Sequence, residues 1–303
     1  MISRRRLLAS SLALALASRL GRAADEGHEP ITRLIPSTGE RLPVIGMGSS
    51  GTFDVAPDGP DLERLTEVME AFLAGGGELV DTSPMYGNAE AALGEVFDRL
   101  DHPEQLFTAT KVWTYGEQAG IAQMLESRRL MRVPAVDLMQ IHNLRDWKVH
   151  LPTLRRWKDE GKIRYIGITT FAQRDHDELT TIMREEPLDF VQFSYNIGNR
   201  LAEDRLLPLA ADRGIATIIN RAYQRGALFE RTRNAPLPGV ATELGCDSWG
   251  QFFLKFVLGH PAVTCVIPAT SKPHHMKDNM GANFGPVPDD QQRQAMVRYF
   301  ERV

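Results

Sequence analysis

From residue 43 onward the chain alternates short apolar, β-branched runs with longer segments whose apolar residues recur every three or four positions. The short runs span 43–48, 78–82, 107–112, 136–142, 164–169, 190–195, 216–220 and 263–268. Each has the length of a buried strand. Between them, Leu62, Leu65, Met69, Phe72 and Leu73 mark one helical face, and Ala89, Leu93, Val96, Phe97 and Leu100 mark another. The same spacing predicts helices near 118–131, 152–160, 173–185, 201–213, 242–258 and 273–280, with one more close to the C-terminus. Eight strands alternating with helices, with no break in composition, predict an α/β fold of the (β/α)8 TIM-barrel type. Short runs at 31–33 and 41–42, joined across Pro36-Ser37-Thr38-Gly39, predict a separate N-terminal β-hairpin.

A doubly wound fold is the rival. Gly46-Met47-Gly48-Ser49-Ser50-Gly51 matches the spacing of a dinucleotide-binding turn after a strand. That turn must open straight into a helix, and residues 52–60 hold two prolines, a glycine and two aspartates instead. An acidic strand end about 20 residues further on is also lacking. The stretch is read as a barrel loop beside a cofactor.

Composition leaves that picture intact. The 303 residues are 43% hydrophobic and 24% charged, ordinary for a globular protein, and one barrel can occupy about 250 residues. The first 24 residues stand apart. Ser3-Arg4-Arg5-Arg6-Leu7-Leu8 opens a basic patch, an apolar run continues to Ala17, and Gly21-Arg22-Ala23-Ala24 closes the segment. This is the layout of a secretory signal, too short to span a bilayer. Its paired arginines resemble a twin-arginine signal, which engages an export machinery that moves folded proteins. Residues 1–24 are therefore expected to be cleaved near Ala23 or Ala24. A barrel domain of residues 25–303 is left in the periplasm of a Gram-negative type of cell. Removing the segment takes away five arginines and no acid, so the net charge moves from −4 to −9. An acidic body without a basic run argues against a nucleic-acid partner. No later stretch is apolar enough to anchor the chain in a membrane. Cys246 and Cys265 lack metal-site spacing, and with Cys265 in a strand-like run they are read as two separate buried thiols.

Chemistry collects at three strand ends. Val80-Asp81-Thr82-Ser83-Pro84-Met85-Tyr86-Gly87 sets a carboxylate and a phenol five residues apart where an apolar strand stops. Lys111 ends the run 107–112 but for one residue, and His142 ends the run 136–142. Singly, each has a plain structural explanation: a cap, a solvated lysine, a packed tyrosine, a core histidine. Together at the C-terminal rim of a barrel they form the place where such folds carry catalysis. A cation beside Tyr86 favours the tyrosinate and is expected to lower the phenol pKa toward neutrality. Asp81 would hold Lys111 charged, and His142 would orient a substrate oxygen. No metal triad and no Ser-His-Asp pattern accompanies them. The task they suit is proton transfer to a carbonyl oxygen, with the hydride supplied by a cofactor.

Asp81-Thr82-Ser83-x-x-Tyr86-Gly87, Thr110-Lys111-Val112-Trp113 and Gln140-Ile141-His142-Asn143 resemble the catalytic segments of the aldo-keto reductases. The likeness runs in order over residues 31–283. It implies a catalytic Asp81, Tyr86, Lys111 and His142, a small aldehyde or ketone as substrate, and NADPH as hydride donor. Gly48 and Ser49 resemble the family's first-strand loop on the nicotinamide side. Thr169 and Thr170 stand where the family usually has Ser-Asn holding the carboxamide, and Gln192 matches the glutamine that shares this task. Asn220 and Arg221 replace a tyrosine that stacks on the nicotinamide in many members, with the Arg221 guanidinium as a substitute stacking plane.

At the phosphate end the resemblance continues through Thr270, Ser271 and Lys272 to Asp278 and Asn279. Ala269 and His275 stand where many members place a lysine and an arginine, a loss that would weaken the implied 2′-phosphate clamp and leave Lys272, the two hydroxyls and the helix N-terminus near Pro273 to compensate. NADP(H) is the expected cofactor and NAD(H) the alternative. Trp113 is expected to line the substrate pocket or to pack its rim. The short segment after residue 281 implies an open pocket, and the expected state is a monomer or weak oligomer. The other reading of the same residues is a non-catalytic, nucleotide-binding sensor or interaction barrel.

Overall fold

The computed structural model describes residues 29–303, so the segment expected to direct export lies outside the described residues. Eight parallel strands form one sheet, each hydrogen-bonded to the next in chain order. They are β3 (Met47–Gly48), β4 (Leu79–Asp81), β5 (Phe107–Val112), β6 (Val136–His142), β7 (Ile163–Thr169), β8 (Phe190–Ser194), β9 (Ala216–Asn220) and β10 (Cys265–Val266). The first and last strands meet. Gly46 N donates to Val266 O at 2.9 Å, Val266 N to Val44 O at 2.9 Å, and Gly48 N to Pro268 O at 3.1 Å. Parallel bridges at Ile45–Val266 and Gly48–Ala269 close the barrel. Closure brings backbone very near Gly46, where a Cβ would lie 2.9 Å from Leu79 O and 3.0 Å from Cys265 Sγ.

A two-stranded antiparallel hairpin, β1 (Thr32–Leu34) and β2 (Arg41–Pro43), precedes the barrel. Its Ile35 and Leu42 join the barrel interior with Leu79, Phe107, Leu138 and Tyr165, plugging the N-terminal end of the strands. Side chains alternate along a strand, so every second residue points inward. On β5 the inward series is Phe107, Ala109, Lys111; on β6 it is Leu138, Gln140, His142; on β8 it is Phe190, Gln192, Ser194. In each series the interior is apolar below and polar at the C-terminal rim. This gradient delivers the functional groups to one end.

Helices Asp61–Ala74, Ala89–Phe97, Glu117–Leu130, Trp147–Asp159, His176–Glu185, Leu206–Arg213, Trp249–Leu258 and Pro273–Gly281 surround the strands. Their apolar faces form the outer core with the outward-facing strand residues. The glycine-rich stretch after β3 runs through irregular chain to Asp61, as expected of a barrel loop. Four helices differ from the periodicity, one of them 173–185, which opens as a 3-10 turn, Gln173–Asp175, before the helix His176–Glu185. The stretch 242–258 divides into Gly239–Glu243 and Trp249–Leu258, because Gly245 takes a φ of +65° and Ser248 caps a fresh start by accepting from Gln251 N. The segment 201–213 divides into a 3-10 turn, Leu201–Glu203, and the helix Leu206–Arg213. The helix expected from 152 begins five residues earlier, at Trp147, with Pro152 inside it. Pro152 lacks the N–H that would bond the Lys148 carbonyl, and its ring crowds that carbonyl. Cys246 and Cys265 are free and buried.

Candidate active site

β4 ends at Asp81, and the chain then turns sharply, with Tyr86 N donating to Ser83 O at 3.0 Å. Gly87 takes a φ of +60°, and a Cβ there would strike the Asp54 carboxylate at 2.2 Å. That carboxylate accepts from Asn88 N at 2.9 Å, tying the turn to the loop after β3. The turn folds Tyr86 back over the strand ends.

Beneath it lies a buried ion pair. Lys111 Nζ donates to Asp81 Oδ2 at 2.7 Å and to the Thr82 carbonyl at 2.6 Å. The lysine side chain is wholly buried and the aspartate nearly so. Gln140 Nε2 donates to the other carboxylate oxygen, Oδ1, at 2.9 Å. Burial alone would strip the charge from Lys111, yet the opposing influences, the Asp81 carboxylate foremost, hold its pKa above the ordinary lysine value.

Lys111 Nζ stands 5.0 Å from the centre of the Tyr86 ring. The phenol departs here from the sequence expectation. Burial raises its pKa above the ordinary value, and Lys111, the largest opposing influence, does not reverse that. The fixed Asp81 charge adds to the rise. Tyr86 is therefore held protonated, a donor rather than a tyrosinate.

The His142 ring meets Tyr86 edge to face, with centroids 5.6 Å apart. Ser83 Oγ lies 2.7 Å from His142 Nδ1. Burial, Lys111 and Arg145 push the His142 pKa down to about 2, so the ring is neutral. A neutral imidazole has one N–H to donate and no proton to spare. Trp113 sits 6.5 Å from His142, with the Arg145 guanidinium 4.5 Å from its own ring centre. It packs at the barrel rim between His142 and Arg145.

The residues expected around the nicotinamide also gather at this rim. His142 pairs with Thr169, and Thr169 with Gln192, on successive strands. Thr169 Oγ1 donates to Gln192 Oε1 at 2.8 Å, while Gln192 Nε2 is buried with no partner. Ser49 Oγ is likewise buried and unpartnered, and Gly48 pairs with Asp81 in the sheet. A carboxamide suits these two orphaned groups, so the chain fits the nicotinamide end of the cofactor. Thr170 is turned away, donating to Asp175 Oδ2 at 2.7 Å. Asn220 Oδ1 accepts from Ser194 Oγ at 2.6 Å, and the Arg221 guanidinium stacks on Phe171, 3.9 Å from its centre.

At the opposite end, Thr270 Oγ1 accepts from Lys272 N at 3.1 Å, where the helix Pro273–Gly281 begins. Lys272 is exposed, and no carboxylate among the described residues pairs with it. Asp278 anchors the helix Trp249–Leu258, accepting from Ser248 Oγ at 2.7 Å and Gln251 Nε2 at 3.1 Å. Asn279 Oδ1 accepts from Tyr223 OH at 2.6 Å. Four further side chains carry no site role in the sequence reading. Gln140 and Ser83 buttress Asp81 and His142. Glu90 is a buried acid, its pKa raised by burial, that accepts from Thr110 Oγ1 one residue before Lys111. Arg64 donates to the Ser271 carbonyl. The position of Gln140, two before His142 on one strand, was a usable signal; Arg64, 207 residues from its partner, offered none.

Residues 44–296 match the profile of the aldo/keto reductase family. The aldo-keto reductase YhdN of Bacillus subtilis is 28% identical over 213 residues, covering 64% of this chain and 62% of the relative. The NADH-specific methylglyoxal reductase of Escherichia coli is 27% identical over 216 residues, covering 60% and 64%. The matched region thus spans just under two thirds of these curated relatives. Among solved structures, an aldo-keto reductase from Klebsiella pneumoniae in complex with NADPH superposes with a TM-score of 0.72 at 19% identity, covering 90% of this chain and 95% of that one. The barrel, its closing hairpin and the profile spanning most of the chain establish that this protein belongs to the aldo/keto reductase family.

Proposed function

We propose that the protein is an NADP(H)-dependent reductase of aldehydes or ketones, or in reverse an alcohol dehydrogenase, with Tyr86 as the proton donor. The observation that carries this reading is the buried Asp81–Lys111 pair directly beneath a protonated Tyr86. When bound, the nicotinamide supplies the hydride that no side chain can. The chain supplies the rest. Neutral His142 cannot act as an acid, so it orients the carbonyl oxygen by a hydrogen bond. Tyr86 lies against the same ring and delivers the proton as negative charge develops on that oxygen. Lys111 stabilises the tyrosinate left behind, and Asp81 with Gln140 keeps Lys111 in place.

Gln192 and Ser49 would meet the carboxamide, and Lys272 with Arg64 nearby would meet a 2′-phosphate, which favours NADP(H) over NAD(H). The sequence of residues 1–24 supports export by the twin-arginine route, the barrel folding around its nucleotide before it crosses. Exported protein that carries no nucleotide and binds it weakly would overturn that part.

The test is NADPH oxidation by the purified protein with small aromatic and dicarbonyl aldehydes, run beside Tyr86→Phe. Turnover should be abolished in the variant while NADPH still binds. Equal turnover in both would refute the mechanism. NADPH binding without turnover in either would favour the sensor reading instead.

A further inference from the structure

The loop after β6 is unusual in its backbone. Asn143, Leu144 and Asp146 take φ values of +54°, +54° and +50°, three non-glycine residues in the left-handed region within four positions. Asparagine and aspartate tolerate this region, but for a bulky residue such as Leu144 it is rare and strained. Such strain persists only where the surroundings over-determine the chain. Here Leu144 is buried, Arg145 N donates to His142 O at 3.1 Å, and Asp146 Oδ2 accepts from Gly116 N at 2.7 Å. The residue this loop holds in place is Arg145.

The Arg145 guanidinium lies 4.5 Å from the Trp113 ring centre and 4.7 Å from that of Tyr115. Stacking occupies the faces of the guanidinium and leaves its in-plane N–H donors free. Arg145 makes no side-chain hydrogen bond and no ion pair among the described residues. The nearest acid in sequence, Asp146, is taken up by Gly116 N. Trp113 in turn neighbours His142, and the Arg145 charge is felt at the His142 ring. A fixed, unpaired cation of fork geometry thus stands beside the group that orients the carbonyl.

We propose that Arg145, stacked on Trp113 and Tyr115, is a specificity determinant that selects carbonyl substrates bearing a carboxylate. This rests on the reductase reading above and names the substrate class for it. The carbonyl lies between Tyr86 and His142, and the acidic end turns toward Trp113, where the Arg145 edge receives both carboxylate oxygens. The aromatic pair keeps the guanidinium plane fixed, so little side-chain freedom is lost when the acid binds. The exposure of Tyr115 leaves the site open to solvent, so the contribution is to specificity, screened by salt.

The experiment compares kcat/KM for 4-carboxybenzaldehyde and 4-nitrobenzaldehyde in the wild type, Arg145→Gln and Arg145→Lys. Alongside it, equilibrium binding of benzoate and benzamide to the NADPH-loaded protein is followed by tryptophan fluorescence. The wild type should prefer the acid, and Arg145→Gln should reduce that preference at least about tenfold, mainly through KM. Arg145→Lys should restore part of it, and added salt should erode it. A wild type without preference, or a ratio unchanged in Arg145→Gln, would overturn the proposal while leaving the reductase standing. Arginine-dependent benzoate binding by a protein that reduces neither aldehyde would refute the reductase reading and leave the anion site standing. Benzoate binding no tighter than benzamide would overturn the anion site whatever the turnover.

Discussion

Ser83 Oγ lies 2.7 Å from Nδ1 of His142, both side chains being buried. The same hydroxyl oxygen accepts from Met85 N at 3.2 Å, and among the described residues the ring nitrogen is the one acceptor its own proton has. Nδ1 then accepts, and the single N–H of the neutral imidazole sits on Nε2. Ser83 is in this way a positioning residue that sets which nitrogen can donate.

Ser83→Ala removes that constraint without touching the reacting groups. Losing one hydrogen bond of this kind costs about 1 kcal/mol, so kcat/KM should fall roughly five- to tenfold. NADPH affinity should hold. Nitrogen-15 spectra should show His142 protonated on Nε2 in the wild type and mixed in the variant. An unchanged tautomer in the variant would remove the role assigned here.

The Asp81–Lys111 pair makes a prediction about stability. Both charges are desolvated, and removing one strands the other. Asp81→Leu alone and Lys111→Met alone should each cost about 3–5 kcal/mol in urea unfolding. The double variant leaves no lone charge and should be more stable than either single one, though inactive. Additive losses in the double variant would mean that the two charges are not coupled in the folded protein.

Those two residues also show what the sequence carried and what it left out. Asp81, Lys111 and His142 fall at the ends of apolar strands, and a closed barrel brings such ends together whatever the loops do. Tyr86 follows from the short turn after Asp81. The net direction of its pKa did not follow, because burial is a property of the assembled rim and not of the Tyr86–Lys111 spacing. Ser83 and Glu90 read as turn and helix residues until the fold sets them against His142 and Thr110. Arg145 sits in a loop whose left-handed residues carry no glycine to announce them. The break at Gly245 is hidden in the sequence because apolar periodicity continues across it.

The His142 shift has a definite sign in acid. Its folded pKa is depressed from 6.5 to about 2, so between those values the unfolded chain binds the extra proton. Stability from this group is present above the unfolded value and is lost as the pH falls, with a slope of at most about 1.4 kcal/mol per pH unit. His142→Gln should flatten the acid limb of stability against pH. For catalysis, kcat/KM should show no loss from His142 titration between about pH 5 and 8. The alkaline loss should follow Tyr86 and fall above the ordinary phenol value of 10.0. A limb near pH 6.5 that vanishes in His142→Gln would contradict the neutral ring.

If Lys272 meets the 2′-phosphate as proposed, the two nicotinamide cofactors should respond to it differently. NADPH differs from NADH only by the 2′-phosphate, so a residue that meets this group must change one affinity and not the other. Lys272 is exposed and without an acid partner among the described residues, at the start of the helix Pro273–Gly281. Arg64 reaches the neighbouring Ser271 carbonyl, but it also pairs with Asp61, which shares out its charge. Lys272 should therefore dominate. An exposed lysine–phosphate contact contributes about 1–2 kcal/mol, so Lys272→Met should raise the Kd for NADPH roughly five- to thirtyfold and leave that for NADH within about twofold. Arg64→Met should have a smaller effect in the same direction. Parallel losses for both cofactors would place Lys272 against the shared diphosphate. No loss for either would leave the preference for NADP(H) without a residue to carry it.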